Sequence, residues 1–286
     1  MDFTVGYSYD FPCILDYVRF RRELAVPGSR SLALNGTRKR RDVELRQWLT
    51  DLREAGITEV GLSFYGNRHV HDEFANRPGD YDLLLQTARI ASECNMDRSE
   101  TIFLSAGTAG TLADLLNDLT PLPPATQWLV TPWDYRGRGK DLENRRATAA
   151  DLAALPEALA RCVDRDAYRT EGEWIRLTQD GLIPARSDRH YFVSVWQENL
   201  AQLQPTDCGE ILAHLLSAEQ ALADALPSVK ELADGYGDRK GQRIYALRDL
   251  EWKWQDGYLV EHPELGRSQR YDDLASGVRY KGSVES

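Results

Sequence analysis

The sequence predicts an α/β fold built on a parallel sheet. Short β-rich segments alternate with helix-length amphipathic segments through the first two thirds of the chain. Apolar residues make up 42% of the 286 residues, which is enough for a sizeable buried core. Alternating strands and helices demand parallel pairing, because each crossover helix returns the chain to the same end of the sheet.

The expected elements follow one another from residue 3. Strands are expected at residues 3–7, 31–34, 57–64, 101–105 and 127–131. Helices are expected where apolar residues recur at helical spacing, which is at residues 14–24, 43–55, 80–94, 112–119 and 149–163. Gly56 marks the end of the second helix, since glycine is the usual residue just past a helix C-terminus.

The pattern changes after residue 170. Residues 173–178 and 182–183 flank the sequence Gln179-Asp180-Gly181, and Asp-Gly is typical of a β-hairpin turn. An antiparallel hairpin is therefore expected here, extended by residues 191–196. From residue 209 onward the chain is expected to be helical, chiefly over residues 211–226 and 244–259.

Composition excludes several classes of protein. The formal net charge is −10, which disfavours generic nucleic-acid binding, because phosphate backbones select basic surfaces. No apolar run reaches the roughly 18 residues of a membrane-spanning helix, and the amino terminus lacks the pattern of a signal peptide. A cytoplasmic location is expected. No CxxC pair occurs, so reduced and separate thiols are expected at Cys13, Cys94, Cys162 and Cys208.

Several segments resemble the radical-SAM superfamily. Residues 57–66 (Ile-Thr-Glu-Val-Gly-Leu-Ser-Phe-Tyr-Gly) are similar to the family's fourth barrel strand, and residues 34–37 (Leu-Asn-Gly-Thr) to the close of its third. His71-Asp72 and the following Arg77-Pro78-Gly79-Asp80-Tyr81-Asp82 resemble its passage into the next helix. Residues 177–184 resemble a common extension after the barrel. The likeness covers roughly residues 3–200.

This resemblance implies a partial, TIM-like parallel β/α barrel of the radical-SAM type. We therefore predict three parts: the barrel over residues 1–170, the hairpin over residues 171–200, and a helical C-terminal segment packed on the barrel over residues 201–286. The missing first strand would leave an open sheet edge. We expect a C-terminal element, a protein partner or a second copy of the chain to cover it, since unpaired edges are liabilities.

The resemblance also shows what the chain lacks. The family holds a [4Fe–4S] cluster with three cysteines spaced Cys-x₃-Cys-x₂-Cys after its first strand. This spacing does not occur in the sequence, and the resemblance implies that the sequence begins at the family's second strand. The family's Gly-Gly-Glu-Pro stretch has its nearest counterpart in residues 8–12, where only the proline is retained. No cluster is expected from this chain alone. SAM, a related nucleoside, or a small-molecule or peptide substrate is the expected ligand.

Candidate site residues follow from the rule that ligands of parallel barrels bind at the carboxyl ends of the strands. The polar side chains expected at that mouth are Tyr9, Asp10, Asn35, Ser63, Tyr65, Ser105 and Asp134. The resemblance implies cofactor binding by Asn35, Ser63, Tyr65 and Ser105, and the candidate catalytic residues are Tyr9, Asp10, His71 and Asp72. For Asn35 and Ser63 the alternative is a turn-forming role that satisfies local backbone groups.

Two further motifs keep alternatives open. The His69-Val70-His71-Asp72 sequence could bind a divalent metal, with His190 as a third ligand, which would make the chain a metal-dependent hydrolase or lyase. The resemblance supplies His71-Asp72 without any metal. Arg136 and Arg138 lie in a glycine-rich loop after the fifth strand, where guanidinium groups could bind a carboxylate or phosphate of the substrate. A solvated loop is the simpler explanation.

Overall fold

A computed structural model describes residues 10–25, 30–135, 138–183, 201 and 204–265. The chain forms two compact units. The first consists of Met1–Trp133 and Ala150–Asp164, and the second of Asp134–Ala149 and Arg165–Ser286. The expected strand at residues 3–7 and the hairpin extension at residues 191–196 lie outside the described residues.

The strands, in chain order, are β1 (Ser31–Ala33), β2 (Glu59–Phe64), β3 (Asp97–Leu104), β4 (Gln127–Pro132), β5 (Tyr168–Thr170) and β6 (Ile244–Ala246). The helices, in chain order, are α1 (Ile14–Glu23), α2 (Asp42–Ala55), α3 (Arg68–Ala75), α4 (Asp80–Glu93), α5 (Leu112–Leu119), α6 (Arg138–Asp141), α7 (Ala149–Ala153), α8 (Glu157–Ala160), α9 (Glu171–Gln179), α10 (Cys208–Ala225), α11 (Val229–Tyr236) and α12 (Leu247–Glu261).

The first unit is an α/β unit, as predicted, built on a parallel four-stranded sheet in the order β1-β2-β3-β4. Each strand therefore lies beside the next strand in sequence, with at least one helix between them. The segment that follows α8 continues this order: Val163 forms a parallel bridge with Val130, whose N–H donates to the Cys162 carbonyl at 3.1 Å. The described strands form an open sheet rather than a closed barrel.

The two faces of this sheet differ. The helix-side face carries Val60, Leu62 and Phe64 of β2, which are buried, and Arg98 on β3 donates from that face to the Ala88 carbonyl of α4. Alternate residues of the same strands form the inner face: Gly61, Ser63, Ser99, Thr101 and Phe103, all partly exposed. The inner face is therefore the open one within the described part of this unit.

The second unit is organised around a short antiparallel pair, β5 with β6, in which Arg169 lies opposite Tyr245. Helices α9, α11 and α12 bury Trp174, Leu232 and Trp254 beside this pair. The Trp174 indole N–H donates to the Tyr245 carbonyl at 2.8 Å, which attaches α9 to β6.

The predicted hairpin at residues 173–183 is wrong, because this segment begins as helix α9. Thr170 and Glu173 form a reciprocal capping box that starts the helix. The Asp-Gly pair ends it: Gly181 has a φ of 70°, its N–H donates to the Thr178 carbonyl, and the Leu182 N–H donates to the Leu177 carbonyl. These two bonds define a Schellman motif, in which glycine serves a helix end rather than a hairpin.

Two other expected helices have different bounds. The helix expected over residues 149–163 is divided into α7 and α8, with Pro156 before the second, because proline cannot donate the hydrogen bond that a helix interior requires. The helix expected from residue 244 begins only at Leu247, since residues 244–246 form β6. The helix expected at residues 43–55 is confirmed as α2, with Gly56 in the left-handed conformation after it.

Candidate functional site at the carboxyl edge of the parallel sheet

Four aromatic side chains meet at the carboxyl ends of β2, β3 and β4, and we refer to Tyr65, Phe74, Phe103 and Trp133 as the aromatic layer. The Trp133 ring stacks on Phe103 at 4.8 Å between centroids and on Phe74 at 5.1 Å. The Tyr65 ring lies 5.3 Å from Trp133 and 5.5 Å from Phe103. Phe74 is nearly buried, whereas the other three rings are partly exposed.

Strand geometry explains why these rings converge. Tyr65 directly follows β2, Phe103 lies near the end of β3, and Trp133 directly follows β4. Strand alternation places Tyr65 and Phe103 on the same face as Ser63 and Thr101, which are register partners. The result is a stacked aromatic cluster beside small polar side chains, at the sheet edge where β/α proteins bind ligands.

His71 lies directly behind this layer and is fully buried on α3. Its ring stacks on Tyr65 with 5.0 Å between centroids and 18° between planes. The Tyr65 backbone N–H donates to His71 Nδ1 at 3.3 Å, so the proton of the neutral ring is on Nε2, which lies 3.2 Å from Asp80 Oδ2. Because His71 is covered on all sides, the structure places it as a support of Tyr65.

Asp72, the other half of the predicted catalytic pair, caps helix α4. Its carboxylate accepts the N–H of Gly79 at 2.5 Å and the N–H of Tyr81 at 2.9 Å. Burial by itself would raise the pKa of Asp72, but these backbone donors outweigh it and hold the pKa below its usual value. Asp72 therefore stabilises the α3–α4 connection as an anion.

Asn35 and Ser63 are brought together, but through the Ser63 backbone. Asn35 Nδ2 donates to the Ser63 carbonyl at 2.9 Å, and Asn35 Oδ1 accepts the Ser63 N–H at 2.8 Å. The Asn35 amide thus continues the hydrogen-bond ladder between the ends of β1 and β2. These contacts match the turn-forming alternative for Asn35, while the Ser63 hydroxyl stays on the inner face as a candidate ligand contact.

Ser105 and Asp10 also serve their own loops. Ser105 is buried, and its N–H and hydroxyl both contact Thr108 Oγ1, which closes the turn after β3. Asp10 accepts the Arg38 N–H at 2.5 Å and forms a two-point pair with the Arg40 guanidinium. Burial opposes ionisation of Asp10, but Arg40 and the Arg38 N–H hold its pKa below the usual value. Neither residue reaches the aromatic layer in the described contacts.

The metal-site hypothesis stays a prediction, because its third candidate ligand, His190, lies outside the described residues, but its other two histidines do not converge. They lie on α3, where residues two apart point to different faces. His69 is exposed and lines a cleft of about 770 Å³ between α3 and α5, whereas His71 is buried against Tyr65. One ion cannot bind both rings. Within the described residues, no group of three or more His, Cys, Asp or Glu side chains could hold a metal.

That cleft is acidic, and its carboxylates already have protein partners. Asp118 accepts the Tyr81 hydroxyl at 2.8 Å, and Asp114 accepts the side chain of Asn67 at 3.0 Å. Burial and the Asp118 carboxylate both raise the pKa of the Tyr81 hydroxyl, which remains a donor. These bonds attach α5 to α3 and α4.

The remaining predicted site residues lie outside the described part of the first unit. Tyr9, Arg136 and His190 lie outside the described residues. Arg138 begins helix α6 of the second unit. Asp134 also belongs to the second unit, where its charge, after burial, contributes to raising the pKa of Asp249. Substrate binding by Asp134, Arg136 and Arg138, catalysis by Tyr9 and metal binding by His190 stay predictions.

The cysteines do not form a cluster site. Within the first unit, Cys13 precedes α1, Cys94 ends α4 and Cys162 follows α8, and Cys208 begins α10 of the second unit. The Cys94 thiol lies 3.8 Å from the Thr50 hydroxyl, which is the contact of an ordinary buried thiol. Within the described residues, no group of three or more such side chains is placed to hold a [4Fe–4S] cluster.

Comparison with protein-family models and with curated proteins finds no match to this chain. Among the helices that the structure describes, none has both the length and the apolar character needed to cross a bilayer. The geometry of the aromatic layer and its supports is therefore the basis on which a function is proposed.

Sequence reasoning identified Tyr65 but missed Phe74, Phe103 and Trp133. The signal was present for two of them, because an aromatic residue stands at the end of each of three successive strands. Our prediction considered only polar residues at the strand ends. Phe74 was not predictable in this way, since residues 68–75 were not recognised as a helix.

Proposed function

We propose that this chain is a radical-SAM-like β/α protein without an iron–sulfur cluster of its own. In this proposal it binds SAM, or a related nucleoside or small substrate, at the carboxyl edge of its parallel sheet. It would use that ligand in non-radical chemistry or as the partner of another enzyme. The aromatic layer is the observation that carries the proposal.

The winding of the sheet supports the fold part of the proposal. Consecutive parallel strands lie side by side from β1 to β4, and the bridge at Val163 extends the same order. A doubly wound sheet would reverse its strand order, whereas β/α barrels continue in one direction around the axis. The described arc therefore matches part of a barrel wall.

The aromatic layer supports the ligand part. Three partly exposed rings, those of Tyr65, Phe103 and Trp133, are the proposed contacts of a planar group such as adenine. Stacking of a base on an aromatic side chain contributes about 1–3 kcal/mol. The Ser63 and Thr101 side chains on the same face are of a size and polarity suited to contact ribose hydroxyls.

The contacts of His71 and Asp72 determine which of the predicted catalytic roles they can have. His71 and Asp72 are engaged in holding Tyr65 and α4, so neither is assigned a proton-transfer step. In SAM the sulfonium centre would supply electrophilic chemistry. The residues of this chain would bind the adenine ring and shield it from water.

Calorimetric titration of the full chain with SAM and with S-adenosylhomocysteine tests the proposal. We expect micromolar binding of both compounds. Trp133→Leu should weaken that binding about ten-fold, since one stacking interaction is lost. Trp48→Leu is the matched control, because Trp48 lies on α2 under the Arg40 guanidinium and away from the layer. Absence of binding, or equal loss in both variants, would contradict the proposal.

A further inference from the structure

We infer that His71 is a positioning residue for the proposed ligand site, and that it acts by fixing both the ring and the backbone of Tyr65. This inference rests on the proposed function, because it assigns a role within the same site. His71 itself would not touch the ligand, since it is fully buried behind the aromatic layer.

The backbone of Tyr65 lies just beyond the end of the sheet ladder. The last register pair between β2 and β3 is Phe64 with Ile102, and Tyr65 follows it. His71 Nδ1 accepts the Tyr65 N–H at 3.3 Å in place of a strand partner. Gly66 then turns the chain away, with a φ of 139° that favours glycine. The imidazole therefore holds the last residue before the chain leaves the strand.

The ring of Tyr65 is held by the same imidazole. The two planes are 18° apart and their centroids are 5.0 Å apart, so His71 sets the plane that Tyr65 presents to Trp133. Phe64 and Tyr81 cover the other sides of the imidazole, with centroids at 5.9 Å and 5.8 Å. The support is rigid, because a fully packed ring has no free rotamer to adopt.

Asp80 fixes the tautomer that this role requires. Its Oδ2 lies 3.2 Å from His71 Nε2, and its Oδ1 accepts Arg77 NH1 at 3.1 Å. With the proton on Nε2, Nδ1 keeps the lone pair that accepts the Tyr65 N–H. The series Arg77, Asp80, His71 and Tyr65 is thus a chain of contacts that ends at the ligand surface.

Two variants of nearly equal size separate this role from simple core packing. The Oδ1 of asparagine is as many bonds from Cα as Nδ1 of histidine, so His71→Asn keeps an acceptor for Tyr65 and loses the contact to Asp80. His71→Gln keeps a donor near Asp80 and loses the acceptor for Tyr65. Packing alone would affect both variants alike, or affect the smaller asparagine more.

Two readouts are measured on the wild-type chain and both variants. The first is hydrogen exchange of the Tyr65 amide by NMR without ligand, which we expect to be about ten-fold faster in His71→Gln than in His71→Asn. The second is the dissociation constant for S-adenosylhomocysteine, which we expect to be about ten-fold weaker in His71→Gln than in His71→Asn. Asp80→Asn keeps an acceptor for Nε2 and should resemble the wild type in both.

If the Tyr65 amide exchanges at the same rate in both variants, the inference is overturned, whatever the dissociation constants are. Faster exchange in His71→Gln with unchanged ligand affinity also overturns it, because the position of Tyr65 would not matter to binding. If the Tyr65 amide exchanges faster in His71→Gln but the wild type does not bind S-adenosylhomocysteine, His71 does position Tyr65 and the proposed function is contradicted. If neither variant folds, the imidazole ¹⁵N spectrum of the wild type at pH 8 decides: protonated Nδ1 overturns the inference.

Discussion

The two units of the chain place their buried charged side chains in different surroundings. The first unit packs aliphatic and aromatic residues such as Leu62 and Phe64 on the helix side of its sheet, where Arg98 and Glu100 form a buried pair. The second unit buries Glu171 among Trp174 and Trp254. An apolar core tolerates small changes in volume, whereas a buried charge depends on every partner. Loss of Glu171 should therefore lower stability more sharply than a small change of volume in the apolar core of the first unit.

Glu171 gives the largest effect that this comparison predicts. Its carboxylate accepts Lys253 Nζ at 2.6 Å, the Trp254 indole N–H at 2.9 Å and the Asp238 N–H at 3.1 Å. Glu171→Ala should lower the free energy of unfolding by about 3–5 kcal/mol, because it leaves a partly buried ammonium and two donors unpaired. Urea denaturation measures it. Glu173→Ala on the same helix is the control and should cost only about 1 kcal/mol as a lost cap.

A similar loss in both variants would mean that the Glu171 network contributes no more than a helix cap, and the contrast between the units would disappear. Glu171→Gln sharpens the test. The amide oxygen can still accept the Trp254 and Asp238 donors, so the remaining loss reports the charge partner of Lys253 alone.

A second, smaller effect is expected in the sheet of the first unit, where the loss of stability on truncating a leucine should differ between the two faces. Leu62 is buried on the helix-side face of β2, whereas Leu129 is 37% exposed on the inner face of β4. Leu62→Ala should cost about 3 kcal/mol and Leu129→Ala below about 1 kcal/mol, since only the first leaves a cavity. Equal losses in thermal or urea unfolding would show that the inner face is covered in solution.

This difference between the units also explains what the sequence could predict. The β/α alternation of the first unit follows from hydrophobic periodicity, so its strands and the helix ending at Gly56 were placed within a few residues. The second unit depends on contacts between residues far apart, such as Trp174 with Tyr245 and Glu171 with Lys253. No local pattern encodes those partners.

The candidate site shows the same limit. Strand alternation placed Tyr65 at the carboxyl edge, but could not tell that Asn35 would bond the Ser63 backbone rather than a ligand. The Asp180-Gly181 pair is an equally local signal with two uses, a hairpin turn or a helix end. The capping box that Thr170 forms with Glu173 selects the helix, and the Asp-Gly pair ends it.

Asp249 predicts a pH effect confined to the second unit. Burial, and then the Asp134 carboxylate, raise the pKa of Asp249 to about 6. Because the pKa of this carboxyl is raised in the folded state, its protonated form stabilises the fold. That stabilisation is fully present below the unfolded pKa of 3.8 and is lost as the pH rises through about 6. Between pH 4 and 7 the wild type should therefore lose about 2 kcal/mol of stability relative to Asp249→Asn.

Urea midpoints of both proteins at pH 4, 5, 6 and 7 measure this difference. Asp134→Asn separates the two causes, because it removes the neighbouring charge and keeps the burial. In the Asp134→Asn variant, the loss of stability should occur at a lower pH but should not disappear. Parallel pH profiles for wild type and Asp249→Asn would show that Asp249 titrates normally.

The smallest effect concerns Asp72, and it reverses the direction of the pH dependence. Backbone donors overcome burial and lower the pKa of Asp72, so its contribution is present above the unfolded value of 3.8 and is lost as the pH falls through the folded pKa. Asp72→Ala should cost about 1 kcal/mol at pH 7, the usual value of a helix cap. The cost should shrink towards pH 3. A larger loss of ligand affinity than of stability would instead place Asp72 in the ligand site.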